Sequence, residues 1–322
     1  MKHPVKSKRI LATCALIAAC TTAYHLLSSP SESNSRPPET TRAPIPALNT
    51  ALVLPPPASV AQEEPIRPEI QSAIDPQTPP ARRTELITSL PKDLTEAEWR
   101  ILIREVLTLP APGTPEAWHS SHVHEICNIL QRIPASHDLF ADALATVAAH
   151  RGFTDVYRDY AFQHLRTLWR SSLDPLSPGV AQPRNIAIEK TFRKLLADHP
   201  ETSAKAILGL HEFRHEDGTP AVPDAEIGAL ARQLLDTTAP AESTHIPSRM
   251  TAVRIIAERN LLGSSDLLKS IATSPQEHTL VRTSAIGAIG AIAAPEDKTF
   301  LASLSAENPL IAEALQHALK QF

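Results

Sequence analysis

The chain has 322 residues, a formal net charge of −4 at pH 7 and only 4% aromatic residues. A packed core must therefore come from aliphatic side chains, and Leu and Ala among them favour helices. The absence of a basic surplus argues against a nucleic-acid partner. Two of the three cysteines, Cys14 and Cys20, lie in an apolar N-terminal segment and leave Cys127 alone, which excludes a disulfide framework or a cysteine-based zinc site.

Residues 1–27 have the composition of a secretory signal or a membrane anchor. The basic segment Lys2–Arg9 is followed by Ile10–Leu27, which carries no Asp, Glu, Lys or Arg. Within it, Leu16–Cys20 resembles the lipobox of bacterial lipoproteins, which makes Cys20 the candidate lipidation site. An uncleaved helical anchor and ordinary secretion are the alternatives. All three predict a bacterial cell-envelope protein, membrane-anchored or periplasmic, with its body outside the cytoplasm.

Residues 28–81 are rich in Pro, Ser, Thr, Glu and Ala. Runs such as Pro55–Pro57 favour extended polyproline II and cannot continue a helix. The segment also has little apolar surface to offset the entropy of ordering. The composition predicts a largely disordered, semi-rigid tether.

From residue 82 to residue 322 the apolar residues follow the 3.6-residue helical period. Thr95 and Glu98 form a capping-box pattern that starts a helix through Leu107. Further amphipathic stretches follow, including one from Thr202 to Asp217 that is expected to end at Gly218. The pattern predicts about twelve helices in six pairs, and no alternating run predicts a sheet.

The C-terminal third of the sequence repeats itself. A shift of 33 residues carries the helix around Arg249 onto the helix around Arg282, and a shift of 30 carries the latter onto the last helix. The first shift relates Arg249, Ala252, Val253, Ile255 and Ile256 to Arg282, Ala285, Ile286, Ala288 and Ile289. A fixed period in this range is typical of stacked repeats. Tyr157–Leu165 matches the same unit, with Arg158 in the place of Arg282.

The run Leu280–Gly290 resembles the first helix of a HEAT repeat, especially the short form of phycobilisome lyases. The resemblance implies an all-α, HEAT-like α-solenoid of stacked antiparallel helix pairs. Such folds serve unrelated tasks, so the resemblance implies no reaction; a lyase activity would rest on it alone, with no catalytic residue to assign. We therefore expect a non-enzymatic scaffold that binds a protein or peptide partner, without a cofactor or metal. Gly287 and Gly290 are expected to permit close helix packing.

The alternative function is a secreted zinc-dependent hydrolase. His211-Glu212-Phe213-Arg214-His215 matches His-Glu-x-x-His, in which two histidines on one helix face bind zinc and the glutamate activates water. Ala221 stands where the longer form of that motif has its third ligand, and no strand precedes the motif. Chance is therefore the favoured explanation of the match.

Two further clusters could carry chemistry. One contains His119, His122, His124, Glu125 and Cys127, where close histidines are compatible with a metal. However, His122 and His124 are two residues apart and point to different sides of a helix. The other is the pair Arg249 and Arg282, which could bind an acidic partner, although salt bridges within the repeats are the commoner outcome.

Overall fold

A computed structural model describes residues 65–322 except 111–112, 172–182, 216, 239–244, 260 and 262. This part of the chain contains fourteen α-helices and no β-strand. The helices are α1 (Pro68–Ile74), α2 (Pro80–Thr88), α3 (Glu96–Val106), α4 (Glu116–Leu130), α5 (His137–Ala149), α6 (Asp155–Ser171), α7 (Pro183–Asp198), α8 (Ser203–Glu212), α9 (Asp224–Thr237), α10 (Ile246–Glu258), α11 (Ser265–Thr273), α12 (Thr279–Ile292), α13 (Asp297–Ser303) and α14 (Pro309–Leu319). Short 3₁₀ turns precede α5 and α8.

The prediction of an all-α, HEAT-like fold of stacked helix pairs is confirmed. The capping box is also present: the Glu98 amide donates to Thr95 Oγ1 at 3.3 Å, and the Thr95 amide donates to Glu98 Oε2 at 2.9 Å. The residues that the 33-residue shift relates are buried in both copies, which confirms that the repeat marks the core.

The helical part of the chain begins before residue 82, so the predicted end of the tether at residue 81 is wrong. Ile70 and Ala73 of α1 are fully buried, and the Arg83 Nε donates to the Ala73 carbonyl at 2.8 Å. Pro68 and Pro80 each occupy the first position of a helix, where proline has no hydrogen bond to lose. The prolines that suggested a tether here therefore start helices.

Helix α8 ends earlier than the periodicity predicts. The expected helix ran from Thr202 to Asp217, but α8 stops at Glu212, and the His215 amide then donates to the Thr219 carbonyl at 2.8 Å. Gly218 lies in the turn that follows, with a φ of +81° that favours glycine, and is not the cap of α8.

The chain divides into two compact units. The first unit runs to Leu195 and also includes Phe213–Thr219. In it, α2 contacts α4 and α4 contacts α6, and α1, α3 and α5 pack against these even-numbered helices. In the second, α8, α10, α12 and α14 make the continuous layer, covered by α9, α11 and α13. Each unit thus has a layer of even-numbered helices, hereafter its even layer.

The two glycines of α12 differ in their packing. A Cβ on Gly290 would lie 2.7 Å from Cα and Cβ of Ala318, so this glycine lets α12 and α14 approach closely. A Cβ on Gly287 would meet nothing within 4 Å. The expectation of close packing is therefore confirmed for Gly290 and wrong for Gly287, which faces open space.

In the described portion of the chain, no helix combines the length and apolar character needed to cross a membrane. The predicted signal or anchor at residues 1–27, the lipidation site Cys20 and most of the predicted tether lie outside the described residues.

Candidate functional site

The most regular polar feature is a buried arginine at the fourth residue of an even-layer helix. It occurs in α2, α6, α10 and α12, as Arg83, Arg158, Arg249 and Arg282. In three of them the Nε donates to the carbonyl ten residues earlier, in the last turn of the preceding helix: Arg83 to Ala73, Arg158 to Ala148 and Arg282 to Ala272, at 2.8–3.1 Å. Carbonyls in a last turn have no partner within their helix, and a cation there also complements the helix dipole.

Arg249 makes a similar contact and adds a buried carboxylate partner. Its Nη1 donates to the carbonyls of Leu235 and Thr238 at the end of α9, the latter at 2.8 Å. Its Nε and Nη2 donate to the Glu277 carboxylate, and both side chains are at most 5% exposed. One guanidinium thus joins the end of α9, the start of α10 and the loop before α12.

Arg282 repeats the arrangement at the next helix pair, and Arg83 does so in the first unit. Arg282 binds Glu307 through two nitrogens at 2.8 and 3.1 Å, and Arg83 binds Glu105 at 2.8 Å. Arg249 and Arg282 therefore make salt bridges within the stack, which is the commoner of the two outcomes that the sequence left open.

His211 of the zinc-like motif has both ring nitrogens engaged. Arg259 Nε donates to His211 Nδ1 at 3.0 Å, so the neutral ring carries its proton on Nε2, which donates to Glu258 Oε2 at 2.8 Å. Burial would raise the pKa of the Glu258 carboxyl, but hydrogen bonds from His211 and Arg254 prevail and lower it to about 2. No nitrogen lone pair of His211 is left for zinc.

The other residues of the motif do not restore a zinc helix. Because α8 ends at Glu212, His215 is not on the same helix as His211, whereas the motif requires one helical face. Among the described residues, no group of three or more His, Cys, Asp and Glu side chains could hold a metal ion. This geometry contradicts the zinc hydrolase alternative at His211, Glu212 and His215.

The histidines of α4 separate into two groups. His119 is the fourth residue of α4, in the place of the arginines, and it hydrogen-bonds the backbone of Thr108 beyond the end of α3. His122 stacks on Trp118 with ring centroids 5.1 Å apart, and its Nε2 lies 4.0 Å from Glu105 Oε1. Desolvation lowers the pKa of His122 to about 4, with a further contribution from Arg83. Both ring nitrogens of His122 are buried without a hydrogen-bond partner.

His124 belongs to the second group, on another side of α4. Its Nδ1 lies 3.1 Å from Nε2 of His164 on α6, and Gln131 Nε2 lies 2.6 Å from His164 Nδ1. Burial lowers the pKa of His164 to about 4, helped by the neighbouring His124. Cys127 is fully buried in the core, where desolvation raises the pKa of its thiol.

The predicted cluster of His119, His122, His124, Glu125 and Cys127 therefore does not converge on one point. Sequence reasoning missed His164 and Gln131, which are 33 residues apart. That separation equals the repeat period, so a search for polar residues one period apart would have paired them.

No protein-family model matches the chain, and no curated protein matches it. Among solved structures, the chain is similar to human deoxyhypusine hydroxylase in complex with glycerol, with a TM-score of 0.31 and 15% identity. The alignment covers 79% of this chain and 94% of that one. A likeness of this extent says nothing about the activity of this chain. The class that the helices and their buried arginines define is an all-α, HEAT-like solenoid.

Proposed function

We propose that the chain is a non-enzymatic scaffold of the bacterial cell envelope that binds a protein or peptide partner on its second unit. The observation that carries the proposal is the uncharged outer side of α12. Its half-buried residues include Leu280, Thr283, Ser284, Gly287 and Ala291, hereafter the α12 face. The one charged residue of α12, Arg282, is buried and paired with Glu307.

The polar groups of the α12 face are already satisfied by their own helix. Thr283 Oγ1 and Ser284 Oγ both donate to the Leu280 carbonyl, at 2.9 and 2.8 Å. A partner can therefore cover this face without stripping water from an unpaired charge, which is the main cost of burying polar surface. The open space beside Gly287 leaves room for one side chain of the partner.

The repeat shifts show what flanks the α12 face in the even layer. Arg254 and Glu258 of α10 correspond to Gly287 and Ala291, and they pair with each other at 2.6 Å. On α14, Leu310 corresponds to Leu280 and is 51% exposed. On α14 the same shift also places Glu313 and His317 opposite Thr283 and Gly287, with Glu313 Oε1 3.9 Å from His317 Nε2. The uncharged surface is therefore confined to α12 and Leu310, between two pairs of polar side chains, which favours a narrow uncharged segment as the ligand.

The test uses a photo-crosslinking residue at Gly287 in cells, with the same residue at Ser270 as the control. Ser270 is exposed on α11, which is outside the even layer. We expect a crosslinked protein at Gly287 alone. That protein should co-purify with the wild type but not with a separate Gly287→Trp variant that remains folded by circular dichroism. Equal crosslinking at both positions, or binding that survives Gly287→Trp, would contradict the proposal.

Attachment to the envelope is supported by the composition of residues 1–27 and is tested separately. With Cys20 as the lipidation site, two or more acyl chains would give stable membrane binding. A Cys20→Ala variant should then stay unprocessed and lose lipid labelling. Unlipidated wild-type protein that keeps residues 1–19 would indicate an uncleaved anchor instead, and wild-type protein wholly in the cytosol would refute an envelope location.

A further inference from the structure

The pair His124 and His164 joins two neighbouring helices of the first unit. His124 lies on α4 and is half-buried, whereas His164 lies on α6 and is 2% exposed. Their facing nitrogens are 3.1 Å apart, and their ring centroids are 5.0 Å apart. Neither histidine takes part in the arginine contacts or in the proposed binding surface.

We propose that His124 Nδ1 and His164 Nε2 bind one divalent cation of borderline softness, such as Zn²⁺, with water in the remaining positions. Imidazole nitrogens are preferred ligands of such ions. At a metal–nitrogen distance of about 2.0–2.1 Å, two nitrogens on one tetrahedral or square-planar ion are about 2.9–3.4 Å apart. The observed separation of 3.1 Å lies within that range.

The separation of the ring centroids is compatible with a shared ion. Two imidazoles on one ion would have ring centroids about 4.5–5.2 Å apart at the same metal–nitrogen distance. A collinear N–H···N hydrogen bond of 3.1 Å would place the centroids about 5.4 Å apart. The observed centroid distance of 5.0 Å lies within the range for two ligands of one ion.

Gln131 supplies the second sphere of this site. In the metal-free state its amide N–H donates to His164 Nδ1, so the proton of the neutral ring is on Nε2 and bridges to His124. When the cation binds Nε2, that proton moves to Nδ1, and the Gln131 side chain turns its amide oxygen toward it. No net proton is released from His164. A carbonyl that accepts from the second nitrogen is the usual support of a metal-bound histidine.

Access to this site is through His124, because His164 is almost fully buried. The half-buried edge of His124 gives the ion a route from solvent. Since no third His, Cys, Asp or Glu of the described residues completes the set, the site is open to an external ligand.

The test titrates metal-stripped, detergent-solubilised full-length protein with Zn²⁺ and follows the heat and the thermal midpoint. We expect one site that is lost in His124→Ala, a half-buried position that keeps the fold, and in His164→Ala. Binding should weaken about tenfold in Gln131→Leu and recover or tighten in Gln131→Glu. The control His317→Ala, on α14, should bind like the wild type.

Two results would overturn the proposal. The first is Zn²⁺ binding that His124→Ala leaves unchanged, which would place the ion elsewhere. The second is folded wild-type protein that binds no Zn²⁺, which would show that the pair is only a neutral hydrogen bond.

Discussion

Arg249 provides the sharpest test of how the stack is held together, because its side chain is 5% exposed and that of its partner Glu277 is 2% exposed. Arg249→Met keeps the length of the side chain and removes the charge. The Glu277 carboxylate is then buried without a cation, a change that costs about 3–5 kcal/mol. The carbonyls of Leu235 and Thr238 also lose their donor. We expect a loss of about 4 kcal/mol, against a total of roughly 5–15 kcal/mol for a domain.

Arg282→Met is the matched control. Its partner Glu307 is 54% exposed and can be rehydrated, so the loss should be about 1–2 kcal/mol, mainly from the Ala272 carbonyl. Adding Glu277→Gln to Arg249→Met removes the buried charge and should recover part of the stability. Urea unfolding followed by circular dichroism compares these three variants with the wild type. Equal losses for the two arginines, or no recovery in the double variant, would refute the argument.

Two other predictions follow from buried groups. Burial lowers the pKa values of His122 and His164 to about 4 in the folded chain, so the unfolded chain binds more protons between pH 6.5 and 4. The free energy of unfolding should therefore decrease as the pH is lowered through that window, by up to roughly 3 kcal/mol for each histidine. Urea unfolding at a series of pH values measures this, and a flat profile would contradict it. Gly290→Ala should destabilise the protein by about 1–3 kcal/mol because its Cβ would contact Ala318. Gly287→Ala should stabilise it by up to about 1 kcal/mol, because its Cβ would meet nothing and alanine favours the helix. Thermal unfolding measures both, and changes of the same sign would refute the difference in packing.

The helical period and the capping box could be predicted from sequence because both are local. The start of the fold could not, since the sequence does not distinguish a proline that begins a helix, as Pro68 and Pro80 do, from one in a tether. Helix α8 ends just before Phe213, whose ring stacks on Trp169 at 4.1 Å and meets Phe192 edge-on at 5.0 Å. Those partners are distant in sequence, and a periodicity cannot show them.

The same limit applies to the sites. The position of Arg249 and Arg282 was evident from the repeat, but their partners Glu277 and Glu307 were not, because the carboxylates lie in loops at different separations of 28 and 25 residues. The zinc-like motif failed for the reverse reason. Its residues are adjacent in sequence, whereas the side chains that hydrogen-bond to His211 are Glu258, at the end of α10, and Arg259, which follows it.

Three even-layer helices lack arginine at the fourth position: α4 has His119, α8 has Ala206 and α14 has Ala312. His119 is the polar one of the three, and it tests whether that position always favours arginine. Replacing an exceptional residue by the one that recurs in the other repeats commonly stabilises a protein. Here we expect the opposite. Desolvation and the charge of Arg83 already lower the pKa of His119, and its ring packs edge-on against Tyr157 at 5.6 Å.

A guanidinium at that position would bring a permanent charge toward Arg83, whose carboxylate Glu105 is already engaged. His119→Arg should therefore destabilise by about 1–3 kcal/mol, because a buried cation without a counter-ion is costly. His119→Gln, which is neutral and can still donate to Thr108, should cost less. Urea unfolding of both variants distinguishes the outcomes. An arginine variant more stable than the wild type would show that the position, and not its local charge, decides the residue.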